Sequence, residues 1–177
     1  MTIVGAGGVG GLLAAMLARG GNDVRMLARG PALDAIRERG IRLRGPDGAG
    51  TFPISRASDD AAALGAADIV IVTVKTWQLA ELGPRISPLV GDRTLVVPLQ
   101  NGVEASEQLA AALGDRAVVG GVARLISWAE QPGVVRWIGV VPALTIGARH
   151  ADQAAGVEAC AATLRTGGLD VAVTAAI

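Results

Sequence analysis

Strand-like apolar runs and segments with helical spacing alternate along the first two thirds of the chain. The apolar runs occupy Met1–Val4, Asp23–Ala28, Ile69–Val74 and Thr94–Leu99. The helical spacing occurs at Val9–Arg19, Pro31–Arg39, Ser58–Leu64, Trp77–Val90 (broken or shifted near Pro84) and Val103–Leu113. Alternation of this kind predicts a parallel sheet with helices on both faces.

Two regions depart from this alternation. Ile41–Arg44 and Thr51–Ile54 flank the Gly/Pro/Asp-rich segment 45–50, which predicts a hairpin. After Gly114, strands are predicted at Ala117–Trp128, Val134–Ile138, Ala143–Ile146 and Leu169–Val173, with a helix at Ala151–Arg165. These strands predict an antiparallel extension of the parallel sheet. With no internal repeat and no low-complexity linker, we expect one α/β domain over residues 1–177.

Composition narrows the class of protein. The 177 residues balance 16 basic against 16 acidic side chains, which disfavours a nucleic-acid or membrane partner held by bulk charge. Cys160 is the single cysteine, so neither an internal disulfide nor a cysteine-based zinc site can form, and a reducing compartment is expected. The uncharged stretch Met1–Ala18 holds five glycines and has no basic residue before it, so we expect a buried strand, turn and helix and a cytoplasmic protein.

The first turn carries a phosphate-binding pattern. Gly5-Ala6-Gly7-Gly8-Val9-Gly10 fits G-x-G-x-x-G, and it follows a predicted strand and opens a predicted helix. The first glycine permits the tight turn, the second lets the backbone approach a pyrophosphate, and the third lets helix and strand pack closely. The helix N-terminus would present free N–H groups to the phosphates. The pattern predicts a Rossmann-type, doubly wound sheet, with a ligand-free glycine turn as the alternative.

The end of the second predicted strand indicates which dinucleotide would bind. A site for NAD usually places Asp or Glu there, to hold the ribose hydroxyls. Here the strand ends in Ala28-Arg29-Gly30, and Arg29 lies where a 2′-phosphate would be. We therefore expect NADPH to be preferred over NADH, unless Arg29 is only a solvated loop residue.

Polar residues follow the next two predicted strands. Lys75 comes after Ile69–Val74, and Gln100 and Asn101 come after Thr94–Leu99. Ligands of open α/β sheets bind outside the carboxyl ends of the strands, so all three are candidate cofactor-binding residues. Lys75, the only lysine, could attract a carboxylate or phosphate, and Asn101 could bind a carbonyl or hydroxyl. The alternatives are a solvated lysine and a capping box that Asn101 forms with Glu104.

The other polar residues give little evidence of a functional role. We expect His150 to lie at the surface, and Asp59-Asp60 to start a helix rather than form a catalytic dyad. Ser106 and Cys160 have no histidine at a motif spacing, so nucleophilic catalysis is not supported. No metal site is expected.

Taken in order, the motifs resemble the ketopantoate reductase (2-dehydropantoate 2-reductase) family over essentially the whole chain. The segments that carry the resemblance are the glycine turn, Leu27-Ala28-Arg29-Gly30, Lys75-Thr76-Trp77-Gln78, Gln100-Asn101-Gly102-Val103-Glu104, Val119-Gly120-Gly121-Val122, Pro132-Gly133-Val134-Val135 and Ile146-Gly147.

The resemblance implies a function and a set of roles. In that family NADPH reduces the keto acid ketopantoate to pantoate, on the route to pantothenate and coenzyme A. The resemblance implies that the glycine turn holds the pyrophosphate and Arg29 the 2′-phosphate. It places Lys75 near the cofactor, where it could also orient the substrate. It implies that Asn101 contacts both cofactor and substrate, and that Ile126 lies along the nicotinamide.

The chain departs from the family in length. Members are roughly twice as long and form two domains of ordinary size. The second, helical domain supplies the catalytic lysine, and we expect it to be absent from this chain. The 177 residues alone should then bind NADPH but turn over poorly, and an exposed apolar docking face should promote self-association. The alternatives are an NADPH-binding module without turnover and a reductase of another 2-keto acid.

Overall fold

The computed structural model describes residues 1–46 and 48–175. Its strands are β1 (Thr2–Val4), β2 (Arg25–Leu27), β3 (Ile41–Gly45), β4 (Gly48–Phe52), β5 (Arg56–Ser58), β6 (Ile69–Val72), β7 (Leu95–Pro98), β8 (Gly120–Gln131), β9 (Val134–Gly147) and β10 (Asp170–Thr174). Its helices are α1 (Gly8–Arg19), α2 (Gly30–Arg39), α3 (Ala61–Leu64), α4 (Leu79–Ile86), α5 (Ala105–Leu113) and α6 (Ala154–Arg165).

The first sheet is parallel throughout, as predicted. Its strand order is β5-β2-β1-β6-β7, and Ile3 of β1 pairs with Met26 on one side and Ile71 on the other. All four residues of β6 are buried, in agreement with its continuous β-branched run. β1 lies at the centre of this sheet, so the turn that follows it opens between β2 and β6.

The edge strand β5 was not predicted. Its last residue, Ser58, is the first residue of the segment expected to form a helix over Ser58–Leu64, and α3 begins only at Ala61. A strand of three residues is too short to show a period. β5 forms because its backbone pairs with β2, in register from Arg25 opposite Arg56.

The predicted antiparallel extension forms a second sheet. The long strand β9 pairs antiparallel with β8 along one edge and parallel with β3 and β10 along the other. The predicted hairpin is present as β3 and β4, with Ile41 opposite Phe52, while Asp47 in its turn lies outside the described residues. Among the described residues, a single bridge between Val96 and Val118 links the two sheets.

The two strands predicted at Val134–Ile138 and Ala143–Ile146 are one strand with an irregularity. On β8, Arg124 pairs with Ala143 and Ile126 pairs with Ile138, so the residues between Ile138 and Ala143 have no partners in register. Gly139 has φ of +90° at this point. The predicted break is therefore a bulge inside β9.

α1 lies between the two sheets and carries the larger core. Its apolar stripe, Leu12, Leu13, Met16 and Leu17, is fully buried. The same core includes residues of both sheets, such as Ile3 and Val135. A second core fills the other face of the parallel sheet, under α3, α4 and α5. Helices thus cover both faces of the parallel sheet, as expected of a doubly wound fold.

Several helix boundaries differ from the prediction. The segment predicted as a helix over Trp77–Val90 is the short α4 between two 3₁₀ turns, with Pro84 inside α4 rather than at its end. α5 begins at Ala105 rather than Val103. Within the described part of the chain, no helix is both long and apolar enough to cross a membrane.

Candidate active site

A cleft of about 350 Å³ lies at the carboxyl ends of β1, β2 and β6. This edge is where open α/β sheets bind their ligands. The glycine turn, the end of β2, the residues after β6 and one side of α4 form its walls. The lining residues are Val4, Gly5, Ala6, Gly7, Leu27, Ala28, Arg29, Ala32, Asp59, Thr73, Val74, Lys75, Gln78, Glu81, Leu82 and Arg85.

Each of the three motif glycines has the local geometry that the pattern predicts. Gly5 has φ of +105°, and its N–H donates to the carbonyl oxygen of Leu27 at 3.0 Å. A Cβ on Gly10 would collide with the carbonyl oxygen of Gly5, so only glycine lets α1 approach the turn. A Cβ on Gly7 would meet no atom within 4 Å, and Gly7 lines the cleft. The backbone at Gly7 is therefore bare toward the cleft.

The start of α1 supplies unused hydrogen-bond donors. Gly7 is the N-cap and has no side chain to cap the helix, and the first helical bond runs from the N–H of Gly11 to the carbonyl oxygen of Gly7 at 2.9 Å. The N–H groups of the first turn have no partner within a helix. With no acidic side chain in that turn, these N–H groups can donate to an anionic ligand beside the cleft.

Three cationic side chains line the cleft without a counter-ion. Arg29 and Lys75, both predicted, and Arg85, which was not, are exposed. None has a carboxylate within 4.0 Å among the described residues, although Asp59 and Glu81 line the same cleft. The cations therefore remain available to an anionic ligand.

The loop that carries Lys75 is fixed by its own hydrogen bonds. The Lys75 N–H donates to Oε1 of Gln78 at 3.0 Å, and the Gln78 N–H donates to the Lys75 carbonyl oxygen at 2.9 Å. This pair of bonds closes the turn before α4 and holds Lys75 at the cleft. From the sequence, Lys75 and Gln78 were connected only because both belong to a segment that resembles the ketopantoate reductase family.

Gln100 and Asn101 lie beside the cleft rather than in its lining. The Gln100 side-chain amide donates to the carbonyl oxygens of Val72 and Val74, each at 3.0 Å. Gln100 therefore ties the end of β7 to the end of β6, and its buried Oε1 has no hydrogen-bond partner within the described residues.

Asn101 is exposed, and its carbonyl oxygen accepts from the Thr76 hydroxyl at 3.3 Å. The alternative of a capping box is wrong. α5 begins at Ala105 with Glu104 as its N-cap, so Asn101 lies too far from the helix to cap it. The residue remains available at the carboxyl end of β7.

Ile126 lies outside this cleft. It stands on β8 opposite Ile138, with 59% of its surface exposed. It lines a second groove with Ile138, Val140 and Val141. The nearest link to the glycine turn is its neighbour Ser127, whose backbone packs against Gly8.

The structure also places the polar residues to which the sequence assigned no catalytic role. Asp60 caps α3 by accepting the N–H of Ala62 at 2.9 Å, as predicted, but Asp59 lines the cleft. His150 is partly exposed and pairs with Asp115 away from the cleft. Burial raises the pKa of the Cys160 thiol to about 12, which makes it inert as a nucleophile. The described residues contain no His/Cys/Asp/Glu group that could hold a metal.

Comparison with known proteins identifies the family. The sequence profile of the family described as "Ketopantoate reductase PanE/ApbA" matches residues 1–150. The chain belongs to the ketopantoate reductase family. Two relatives named 2-dehydropantoate 2-reductase are 45% identical over 104 residues (Mesorhizobium japonicum; 58% of this chain) and 31% identical over 176 residues (Halobacterium salinarum; 99% of this chain).

Solved structures of ketopantoate reductases share the fold. The crystal structure of 2-dehydropantoate 2-reductase from Porphyromonas gingivalis W83 superposes with a TM-score of 0.92 at 26% identity, covering 99% of this chain and 64% of that one. The Rossmann-type fold is therefore confirmed. The chain spans 32% and 57% of the length of the Mesorhizobium and Halobacterium relatives.

Several residues that line the cleft of this ketopantoate reductase family member were missed from sequence, among them Thr73, Asp59 and Arg85. Thr73 directly follows β6, and Asp59 directly follows β5, so the rule that ligands bind at carboxyl ends of strands could have indicated both. Arg85 carries no such signal. Arg85 reaches the cleft because α4 packs along one side of the cleft, and this packing is seen only in the three-dimensional structure.

Proposed function

We propose that this chain binds NADPH in the cleft and forms the cofactor-binding half of an enzyme that reduces ketopantoate to pantoate. The observation that carries the proposal is the open space beside the Gly7 backbone at the N-terminus of α1, one strand away from the exposed Arg29. Membership of the ketopantoate reductase family supplies the reaction class. We further propose a cytoplasmic location, consistent with the single, buried thiol.

The cleft fits a phosphorylated dinucleotide. The first-turn amides around Gly7 and Gly8 would hold the pyrophosphate, as helix N-termini do for phosphates. Arg29 would pair with the 2′-phosphate, and such a charge-assisted bond contributes about 1.5–3 kcal/mol. Lys75 would lie near the cofactor on the opposite flank of the turn. When bound, NADPH supplies the hydride for the carbonyl carbon of the substrate.

The keto acid would bind at the exposed ends of β6 and β7. Lys75 offers a positive charge for the substrate carboxylate, and Asn101 offers an amide for its carbonyl or hydroxyl. We also propose that Ile126 contacts the nicotinamide side of the cofactor. These roles follow from the family resemblance, and the exposure of Lys75 and Asn101 leaves their side chains free for them.

The 177 residues alone should turn over poorly. The relatives extend beyond the part that matches this chain, and the family resemblance places the catalytic lysine in that further part. General acid catalysis contributes about 10²–10⁴-fold, so residues 1–177 assayed without that further part should bind the cofactor without appreciable turnover.

Calorimetric titration of NADPH and NADH tests the cofactor assignment. The wild type should bind NADPH about ten- to a hundredfold more tightly than NADH, and Arg29→Ala should remove that preference. Arg93→Ala is the matched control, because Arg93 is an exposed arginine before β7, at the other end of the sheet. Equal affinity of the wild type for both cofactors would contradict the role of Arg29.

We also propose that the 177-residue chain self-associates through the outer face of β8 and β9. That face exposes the large apolar side chains Val122, Ile126, Trp128, Ile138, Val140 and Val141. An exposed apolar face of this kind favours association. Sedimentation velocity should show a dimer or larger species that Val140→Lys weakens, and a monomer at high concentration would refute the proposal.

A further inference from the structure

We infer that Thr73 is a positioning residue that holds the glycine turn in the conformation that binds phosphate. This inference rests on the proposed function, because it concerns the same cleft. Thr73 directly follows β6 and is part-buried against the first residues of the turn.

Thr73 makes two kinds of contact with the turn. Its N–H donates to the carbonyl oxygen of Val4 at 2.9 Å, which continues the pairing of β6 with β1. Its hydroxyl oxygen lies 2.9 Å from the same carbonyl oxygen and 3.2 Å from that of Gly5. The hydroxyl has one proton to donate, so it is shared between the last residue of β1 and the first residue of the turn.

The Gly5 carbonyl determines where the next amide points. A trans peptide is planar, so the Gly5 carbonyl and the Ala6 N–H point in opposite directions. On the other side of Gly5, its N–H is held by Leu27. Fixing the Gly5 carbonyl on the β6 side therefore directs the N–H of Ala6, a cleft-lining residue, away from β6.

Gly10 completes the contact. A Cβ at Gly10 would collide with the Gly5 carbonyl oxygen and lie 2.5 Å from the Thr73 hydroxyl oxygen. The hydroxyl, the carbonyl and the first turn of α1 thus pack as one unit. Loss of the hydroxyl leaves the Gly5 carbonyl without its side-chain donor and frees the turn to rotate about φ and ψ of Gly5.

The test compares Thr73→Val, Thr73→Ala and Thr73→Ser by NADPH titration and by amide hydrogen exchange without cofactor. Thr94→Val is the matched control, because the Thr94 hydroxyl also donates to a backbone carbonyl, that of Ala67, at the opposite end of the sheet. We expect Thr73→Val and Thr73→Ala to weaken NADPH binding about tenfold, and Thr73→Ser to stay within about twofold. The Gly5 amide should exchange faster in Thr73→Val and Thr73→Ala but not in Thr94→Val.

The outcomes separate this inference from the proposed function. Wild-type affinity in both Thr73→Val and Thr73→Ala, or an equal loss in Thr94→Val, would overturn the positioning role of Thr73. Failure of the wild type to bind NADPH would refute the proposed function and, with it, the link to phosphate. If the wild type does not bind NADPH, an unchanged rate of amide hydrogen exchange at Gly5 in Thr73→Val and Thr73→Ala would also refute the claim that Thr73 holds the glycine turn.

Discussion

The α-carbon of Gly8 packs directly against the backbone of Ser127. A Cβ on Gly8 would lie 2.6 Å from the Ser127 carbonyl oxygen and 2.6 Å from the α-carbon of Trp128. The first turn of α1 therefore approaches β8 closely, backbone against backbone. The contact joins the start of the phosphate-binding helix to the second sheet.

Gly8→Ala should destabilise the protein. The added methyl group cannot avoid a backbone neighbour, so α1 and β8 must separate, and overpacking of this kind costs about 1–3 kcal/mol. The better helix propensity of alanine offsets up to about 1 kcal/mol of that cost. Urea unfolding should show a lower midpoint, and a midpoint at or above that of the wild type would contradict the packing described.

Gly7→Ala should have the complementary effect. Gly7 has φ of −78° and open space at its Cβ position, so alanine fits without strain and the free energy of unfolding should hold or rise slightly. The methyl group projects where we place the pyrophosphate, so NADPH and NADH affinity should both fall more than tenfold. Calorimetry on Gly7→Ala and Gly8→Ala, run in parallel, separates the two roles. Full affinity in Gly7→Ala would argue against phosphate at this position.

Gln100 should prove structurally important whatever its relation to cofactor. Gln100→Leu removes the side-chain donor to the carbonyl oxygens of Val72 and Val74, which costs about 1–3 kcal/mol, although the Val72 oxygen still accepts from the Leu99 N–H. Gln100→Glu should be worse, because a carboxylate would face two carbonyl oxygens. Thermal unfolding measures both, and a Gln100→Glu variant more stable than Gln100→Leu at neutral pH would contradict the hydrogen bonds described.

Stability should fall in acid partly through Glu130. Hydrogen bonding and charge from Arg136, and then from Arg44, hold the pKa of Glu130 below its ordinary value. Each arginine lies 3.0 Å from a carboxylate oxygen. A lowered folded-state pKa stabilises the fold above the ordinary glutamate pKa of about 4.3, and this contribution disappears as the pH falls through the folded-state value. Glu130→Gln should therefore be less stable than the wild type at pH 7, and the difference should shrink toward pH 3. A stability difference between Glu130→Gln and the wild type that does not change with pH would contradict this role of Glu130.

The parallel sheet and the glycine turn could be predicted because their signals are local. Gly5 and Gly10 each meet a steric demand of the turn between strand and helix, and the continuous β-branched run of β6 is typical of a buried central strand. The glycine pattern and the β-branched run each lie within a short stretch of the sequence.

Other features depend on contacts between distant segments. β5 exists because β2 offers it a backbone partner, and Arg85 reaches the cleft because α4 packs there. The close approach of Gly8 to Ser127 joins residues 119 positions apart in the chain, and no periodicity encodes it. The bulge in β9 appeared in the sequence only as a break between two predicted strands.

The proposed NADPH site is best tested by a crystal structure of this chain with NADPH. We expect the pyrophosphate within hydrogen-bond distance of the amides between Ala6 and Val9, and the 2′-phosphate against the guanidinium of Arg29. An empty cleft at saturating NADPH, or a cofactor bound away from the glycine turn, would contradict the proposed site.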